Sequence, residues 1–291
     1  MKHATLKAKN ARDGYLLIAP LLLGMLVFYA VPFFLVVRKS VYHGVGNSER
    51  FVGLDNFRGI PGNAVFQLAF GNTLKFLLVS LPLILILSFA IALLLRSQAQ
   101  KHETLKSVLL LPYIMPVAGT VLLIQVLFAQ AGVLNRGLYT LGLPITDWLQ
   151  SEYAFGVVVL LYLWKNTGYG VILLLSGLVT LSEEHDQAAE LDGATRWQRL
   201  WYITIPQMWY SIFFTAVFSL INAFKCFREI LLVGGVHPHS SIYMLQHFIN
   251  NAFENLNYPK LSVASILLLL LLTALFAATY CWVMKKEAYK E

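Results

Sequence analysis

The sequence is poor in charged residues. Asp, Glu, Lys and Arg make up only 13% of its 291 residues, whereas 58% are hydrophobic and the mean hydropathy is +0.65. An ordinary soluble domain carries about 25% charged residues, which it needs to cover its surface. The shortage of charge therefore excludes a soluble enzyme or soluble binding domain and predicts a membrane protein.

Signatures of metal sites and of ATP hydrolysis are also lacking. Cys226 and Cys281 lie in apolar runs without a motif around them, as small hydrophobic residues in helices do. The seven histidines show no paired ligand spacing, so we predict no metal site. No Gly-Lys-Ser or Gly-Lys-Thr occurs, which excludes a phosphate-binding P-loop. We therefore predict a chain that is not an enzyme and takes the energy of ATP, if it uses any, from a partner.

Long apolar runs are what the sequence does contain. A run of about 20 residues spans the ~30 Å hydrocarbon layer of a bilayer as a helix. Six runs approach or exceed this length: residues 14–37, 72–95, 107–128, 154–178, 208–233 and 261–284. We predict an all-α membrane protein with six transmembrane helices. Pro112 and Pro116 in the third run predict a broken backbone, which a membrane tolerates only beside protein or a cavity.

Lysine and arginine are distributed unequally over the predicted loops. With the N-terminus inside, twelve lie on the cytoplasmic side: Lys2, Lys7, Lys9, Arg12, Arg96, Lys101, Lys106, Arg196, Arg199, Lys285, Lys286 and Lys290. Six lie outside: Arg38, Lys39, Arg50, Arg58, Arg136 and Lys260. Because cytoplasmic loops carry the excess of these residues, both termini are predicted to be cytoplasmic. Orientation explains much of the +7 net charge, and no nucleic-acid partner is needed.

A charged stretch, DQAAELDGATRWQRLWYITIPQM (residues 186–208), lies between the fourth and fifth runs. Thr180 with Glu183 matches a helix-start signature, and Gly193 predicts the end of that helix. A second helix, ending near Pro206, would place four residues on one face: Ala194, Trp197, Leu200 and Trp201. The first helix is acidic and rich in alanine, unlike the basic, bulky helices that lie on membranes. The pattern favours two short helices at a glycine elbow that dock on a protein.

The same stretch resembles the loop of permease subunits of bacterial ABC importers. That loop carries the EAA motif: Glu-Ala-Ala, three residues, Gly, nine residues, then Ile-x-Leu-Pro. Here Gln187-Ala188-Ala189 is followed at matching spacing by Gly193 and by Ile203 to Pro206, with Gln187 replacing Glu and Ile205 replacing Leu. Other segments, such as LLPYIMPVAGTVLLIQVLF and LWKNTGYGVILLLSGLVTLSEE, look like the carbohydrate-uptake branch, which includes glycerol-3-phosphate permeases. The likeness covers roughly residues 14–284.

The resemblance implies a type I ABC importer permease (MetI-like) fold in the bacterial cell (inner) membrane. It implies an N-terminal part with the first helix and an external loop (1–71), a five-helix core with a cytoplasmic coupling loop (72–284, loop 182–207), and a cytoplasmic tail (285–291). The implied partners are a second homologous permease in a heterodimer, two ABC ATPases that hold ATP and Mg²⁺, and an extracellular or periplasmic solute-binding protein. This chain itself would bind no cofactor. The residues that would couple to the ATPase are Glu183, Glu184, Gln187, Ala188, Ala189, Glu190, Asp192, Gly193, Ile203 and Pro206.

Polar and aromatic residues in the fourth and fifth runs are the candidates for a sugar pathway, because sugars bind to aromatic faces and to hydrogen-bonding side chains. By resemblance to maltose-type permeases, Asn166, Tyr169 and residues 219–223 fall near sugar contacts. The full candidate set is Trp164, Asn166, Tyr169, Ser219, Asn222, Ala223, Phe224 and Lys225. Helix–helix contacts are the open alternative for each of them.

Charged residues inside the runs have their own predicted roles. Lys225 and Glu229, at i and i+4, predict a structural ion pair. Lys165 is predicted to extend to the membrane surface or to pair with the companion permease. If the substrate is anionic, Lys165, Lys225 and Arg228 become the first candidates to bind it.

Two alternative functions remain open at the level of sequence. One is ABC import of glycerol-3-phosphate or another polar solute. The other is a secondary transporter that works without an ATPase, which would need acidic residues near the middle of the membrane. The runs contain almost none beyond Glu229.

Overall fold

The computed structural model describes residues 2–44, 48–96, 103–182 and 184–287, and its described residues are mostly helical. The chain divides into two compact units. One comprises Met1–Phe66 and Phe248–Leu270, and the other comprises Gln67–His247 and Leu271–Glu291. The all-α class predicted from the sequence is confirmed. The predicted domain boundaries after residues 71 and 284 stay a prediction.

The first unit contains the first predicted span. Helix α1 (Lys2–Met25), a π-helical turn (Leu26–Ala30) and α2 (Val31–Ser40) follow one another without interruption. Two short antiparallel strands, β1 (Tyr42–His43) and β2 (Arg50–Phe51), and the helix α3 (Asp55–Gly59) come next. The Asn56 side chain fixes this loop against the helix, since its amide donates hydrogen bonds to the carbonyls of Ser40 and Tyr42, both at 2.9 Å.

The remaining helices have the following bounds: α4 Ala64–Leu95, α5 Glu103–Ile114, α6 Val117–Phe128, α7 Val133–Thr140, α8 Ala154–Val179, α9 Glu184–Leu191, α10 Arg196–Arg199, α11 Ile205–Gln207, α12 Trp209–Lys225, α13 Phe227–Gly234, α14 Leu245–Glu254 and α15 Tyr258–Glu287. A second π-helical turn (Leu200–Thr204) joins α10 to α11. A 3₁₀ turn (Ser240–Ile242) precedes α14.

Among the described residues, five helical segments are long and apolar enough to cross a membrane: Asn10–Ser40, Ala64–Leu95, Val117–Thr140, Ala154–Val179 and Tyr258–Cys281. The predicted run 107–128 is divided between α5 and α6 because Pro116 adopts an extended conformation, with ψ 149°. The predicted break at Pro116 is thus confirmed, while Pro112 lies inside α5. The predicted run 208–233 consists of α12 and α13, which meet at Cys226.

Helix α8 is the central element of the second unit, where it packs against α5 and α12. Its buried residues include Tyr162, Leu174 and Leu178, none of which has any exposed surface. The Tyr162 ring meets Phe76 of α4 edge to face, with the ring centroids 5.5 Å apart. The Tyr162 hydroxyl donates a 2.7 Å hydrogen bond to the Ser219 carbonyl of α12, so the one buried polar group of this aromatic pair is satisfied.

Three glycines let other helices approach α8 closely. A Cβ atom on Gly168 would collide with the Leu109 carbonyl of α5. Side chains on Gly170 and Gly177 would collide with Ser88 of α4 and Ser211 of α12. Small residues at helix interfaces allow the close backbone contact that drives association in lipid, where the hydrophobic effect between helices is absent. These three glycines therefore allow α5, α4 and α12 to pack directly against α8.

Replacing Gly168 with alanine tests this packing. The new methyl group meets backbone rather than a movable side chain, so Gly168→Ala is expected to destabilise the fold by about 1–3 kcal/mol. Gly156→Ala is the matched control on the same helix, because nothing lies within 4 Å of a Cβ there. The control should be neutral or slightly stabilising, as alanine is the better helix former. Thermal unfolding of the purified protein in detergent measures both, and equal midpoints would contradict the close contact.

Candidate functional site

The charged loop folds into the predicted elbow, and Gly193 makes the turn. Its φ of +81° lies in the left-handed region that glycine adopts without strain. The Gly193 amide donates to the Glu190 carbonyl at 3.0 Å, and the Ala194 amide donates to the Ala189 carbonyl at 2.9 Å. These two bonds form the Schellman motif that ends many helices, so the predicted helix end at Gly193 is confirmed.

The two helix starts in the loop have side-chain caps. Thr195 and Gln198 form a capping box before α10, in which each side chain bonds the other residue's backbone amide. At the start of α9, the Ser182 Oγ accepts a hydrogen bond from the Glu184 amide at 3.3 Å. The predicted cap at Thr180 is wrong: α8 extends to Val179, and the Thr180 hydroxyl donates back to the Gly177 carbonyl at 2.8 Å. Glu183, the other half of that signature, lies outside the described residues.

Arg199 joins the two helices of the elbow, α9 and α10, through ion pairs. Its Nη1 lies 2.7 Å from Glu190 Oε2 and 3.5 Å from Asp186 Oδ2, and its side chain is only 13% exposed. The Glu190 carboxylate, a predicted contact to the ATPase, is therefore engaged within the loop while it remains exposed. Because Glu190 is exposed, each of these ion pairs contributes less than about 1 kcal/mol. Their effect is to fix the angle at which α9 and α10 meet.

Most predicted coupling residues share an exposed concave surface, which we call the elbow surface. It consists of two adjoining depressions of about 370 and 460 Å³ that have Asp192, Tyr202 and Ile203 in common. The predicted residues that line it are Ala188, Ala189, Asp192, Gly193, Ile203 and Pro206. Glu184, Gln187 and Glu190 lie on α9 and are exposed outside these depressions.

Sequence reasoning missed two exposed residues of the loop. Leu191, at the end of α9, is 90% exposed, and Tyr202, on the elbow surface, is 79% exposed. Tyr202 thus adds an aromatic ring to the elbow surface. The acidic, alanine-rich sequence of α9 could have indicated that Leu191 is exposed, because this helix has no face of large apolar residues with which Leu191 could be buried.

The two tryptophans that follow Gly193 face the membrane-spanning helices. Trp197, Leu200 and Trp201 line an apolar groove of about 380 Å³ with residues of α4, α8 and α12. The predicted common face is confirmed for these three residues. It is wrong for Ala194, which precedes the helix and lines the elbow surface. The segment after Gly193 therefore has two faces. One lines the groove beside the membrane helices, and the other lines the elbow surface.

A cavity of about 510 Å³ lies among α5, α6, α8, α12 and α13. Four of the eight predicted substrate residues line it: Asn166, Asn222, Phe224 and Lys225. The other lining residues are Tyr113, Val117, Lys165, Cys226, Phe227, Arg228 and Glu229. The Asn166 amide donates to the Tyr162 carbonyl of its own helix at 2.9 Å, which fixes the side chain at the cavity wall.

The other four predicted substrate residues do not line this cavity. Tyr169 stacks on Tyr113, a lining residue, with ring centroids 4.6 Å apart, so it supports the wall from behind. Ser219 and Ala223 are buried in the packing of α12, and Trp164 is 38% exposed. Helix–helix contact, the alternative left open by the sequence, is what the structure shows for Ser219 and Ala223.

A buried ion pair forms part of the cavity wall. Lys165 Nζ of α8 bonds Glu229 Oε1 of α13, and their side chains are 13% and 4% exposed. The predicted pairing of Glu229 with Lys225 is wrong, as is the predicted pairing of Lys165 with the membrane surface or a companion chain. The break at Cys226 is the physical reason, since it interrupts the helical spacing between Lys225 and Glu229. Glu229 Oε2 is buried without a hydrogen-bond partner.

Comparisons with known proteins agree with this architecture. Residues 84–285 match the family model described as the binding-protein-dependent transport system inner membrane component. The chain is 28% identical to the lactose transport system permease protein LacF of Rhizobium radiobacter, with 85% of each chain covered. It is also 28% identical to the trehalose/maltose transport system permease protein MalF of Thermococcus litoralis, with 90% of each covered.

Solved structures share the fold. A chain of a bacterial ABC transporter involved in the import of the acidic polysaccharide alginate superposes with a TM-score of 0.83 at 19% identity, covering 97% of this chain and 99% of that one. A chain of a bacterial alginate ABC transporter, in complex with an alginate pentasaccharide-bound periplasmic protein, gives a TM-score of 0.80 at 19% identity, with 94% of each covered. The likeness extends over nearly the whole length and confirms the predicted permease fold.

The partner of Glu229 can be tested by removing charges one at a time. Lys165→Gln or Glu229→Gln alone leaves a buried charge unpaired and is expected to cost about 3 kcal/mol of stability. The double variant should recover most of that loss, because neither charge remains. Lys225→Gln is the control and should leave the unfolding midpoint unchanged. Loss of stability in Lys225→Gln but not in Lys165→Gln would restore the pairing predicted from helical spacing.

Proposed function

The chain belongs to the family of binding-protein-dependent transport system inner membrane components, and we propose that it is the membrane subunit of an ATP-driven ABC importer for a sugar or oligosaccharide. It receives the solute from an external binding protein and releases it into the cytoplasm by alternating access. The chain is a multi-pass membrane protein, and the bacterial inner membrane is its proposed location. Hydrolysis of ATP belongs to two partner subunits, with a second permease completing the membrane part.

The cavity is the observation that carries the substrate part of the proposal. It combines the carboxamides of Asn166 and Asn222 with the aromatic rings of Tyr113, Phe224 and Phe227. Aromatic faces and fixed hydrogen-bonding groups in a mostly apolar wall are what a sugar ring needs. Relatives named for lactose and for trehalose and maltose support a sugar. A volume of about 510 Å³ is ample for a sugar unit.

The elbow surface carries the coupling part of the proposal. The loop is inserted between α8, which ends at Val179, and α12, which begins at Trp209. These two helices pack on each other, and each supplies an asparagine to the cavity. A partner that moves the elbow therefore moves both cavity walls together. An ATPase docked on Ala188, Ala189 and the neighbouring acidic residues would in this way drive the change of access.

The alternatives differ in what they require. A secondary transporter needs an ionisable group that binds its driving ion, and the buried Glu229 is committed to Lys165 through one oxygen. Family membership also favours an importer built with ATPase subunits. Glycerol-3-phosphate or another polar solute stays a second candidate, because Lys225 and Arg228 place cationic groups at the cavity.

Co-purification with the encoded partners tests the assembly. An ATPase dimer and a second permease should purify with this chain, whereas a secondary transporter would purify alone. Within that complex, Gly193→Ala strains the left-handed turn by about 1 kcal/mol and should lower substrate-stimulated ATP hydrolysis about fivefold. Gly193→Asn is the matched control, since asparagine tolerates this conformation, and it should keep most of the stimulation. Equal activity of Gly193→Ala and the native complex would contradict the coupling role.

The two residues Asn222 and Ser219 of α12 test the substrate role of the cavity. Asn222→Ala removes one hydrogen-bonding group from the wall and should lower kcat/KM for uptake about fivefold, as expected for a loss of ~1 kcal/mol. Ser219→Ala should leave uptake unchanged, because Ser219 is buried and its backbone carbonyl still accepts from Tyr162. Uptake of the sugar carried by the cognate binding protein is the measurement. A larger effect from Ser219→Ala would move the substrate path away from this cavity.

A further inference from the structure

The cavity has an unequal balance of charge. Three cationic residues, Lys165, Lys225 and Arg228, line it together with one carboxylate, Glu229, which leaves an excess of two positive charges (three minus one). Lys165 is neutralised by its bond to Glu229. Within the described parts of the chain, no carboxylate lies in ion-pair distance of Lys225 or Arg228. The surplus charge is therefore at one side of the cavity, where α12 meets α13.

Lys225 and Arg228 are both exposed in this chain. Ionisable residues within membrane-spanning segments usually face the bundle interior or a water-filled cavity and mark an ion or substrate path. Within the chain, the largely buried Lys165 is paired with Glu229. The charges of Lys225 and Arg228 are left to be balanced by a group from outside the chain. An anionic group on a bound solute would balance them, and arginine forms two-pronged hydrogen bonds with carboxylate, sulfate and phosphate groups. A neutral saccharide can accept hydrogen bonds from these side chains, but it carries no charge that would balance them.

The carboxylate of Glu229, on α13 beside Arg228, can accept a hydrogen bond. Glu229 lines the cavity and is 3% exposed, and its Oε2 is buried without a hydrogen-bond partner. An ionised carboxylate oxygen buried in this way gains from a donor that reaches it. A hydroxyl group is such a donor, whereas a second anionic group would be repelled. The cationic pair and the Glu229 carboxylate together therefore favour one molecule that carries both an anionic group and hydroxyl groups.

We propose that the cavity binds an acidic saccharide. Its carboxylate, sulfate or phosphate ester contacts Lys225 and Arg228, and a ring hydroxyl donates to Glu229 Oε2. The rings of Phe224 and Phe227 at the same end cover the apolar face of the sugar. The assignment rests on the proposed function, since it names the class of sugar for the same cavity.

A matched pair of disaccharides tests the charge. Digalacturonate and galactobiose share their stereochemistry and differ in whether carbon 6 is a carboxylate or a hydroxymethyl group. Equilibrium binding of each radiolabelled probe is measured on the complete complex, with its second permease and ATPases, in nanodiscs without binding protein. Glycerol-3-phosphate serves as a third probe, which separates a need for a phosphate ester from a need for a sugar acid.

The native complex is expected to bind an anionic probe at least about tenfold more tightly than galactobiose at low salt. The double variant Lys225→Gln and Arg228→Gln should lower that affinity to about the level of galactobiose and weaken galactobiose much less. The charge-preserving variant Lys225→Arg and Arg228→Lys should keep the preference. Raising the salt concentration should weaken the anionic probe alone. A preference for glycerol-3-phosphate over both disaccharides contradicts an acidic saccharide and favours the second candidate, a small phosphate ester.

Several results overturn the proposal. It fails if galactobiose binds as tightly as the acidic probes, if no anionic probe binds, or if the double variant weakens all probes equally. If Lys225 and Arg228 instead pair with the second permease, their substitution will release that subunit during purification and the proposal is wrong. The proposed function fails differently: the ATPases and the second permease would be absent from the native complex itself.

Discussion

The approach of three helices to α8 is the constraint on which the rest of the second unit depends. Gly168, Gly170 and Gly177 lie on α8 where α5, α4 and α12 contact it, and none of these positions has room for a side chain. The cavity wall and the elbow are both extensions of this packed group, because α8 supplies Lys165 and Asn166 and leads directly into the loop. Backbone contact in lipid thus determines where the polar groups of the site can lie.

Local signals in the sequence predicted the local features of the fold. The apolar runs predicted the spans, Pro116 predicted the break between α5 and α6, and Gly193 predicted the end of α9. The loop surface was also within reach, since the spacing from Ala188 to Pro206 counts residues along a single short segment. Each of these features depends on interactions between residues less than a few helical turns apart.

Features that depend on distant residues were not predictable in the same way. Lys165 and Glu229 are 64 positions apart, and helical spacing alone favoured Lys225 as the partner of Glu229. The break at Cys226 was not predictable, because no proline or glycine lies at this point in the sequence. The break nevertheless changes which charged residues form an ion pair. Four of the eight predicted substrate residues proved to lie away from the cavity, because residue type and resemblance assigned them to helices without giving the orientation of each side chain.

The π-helical turn at Leu200–Thr204 allows the loop to contain one additional residue. Its closing bond runs from the Ile205 amide to the Leu200 carbonyl, five residues apart, so this turn holds one residue more than an α-helical turn. Residues before and after the turn keep the angular positions that a helix one residue shorter would give them. A loop with an α-helical turn and one residue fewer here would therefore still direct Trp197 toward the spans and Pro206 toward the elbow surface. Of the residues between Gly193 and Pro206, one is thus accommodated by the wider turn without rotating the helix before it relative to the helix after it.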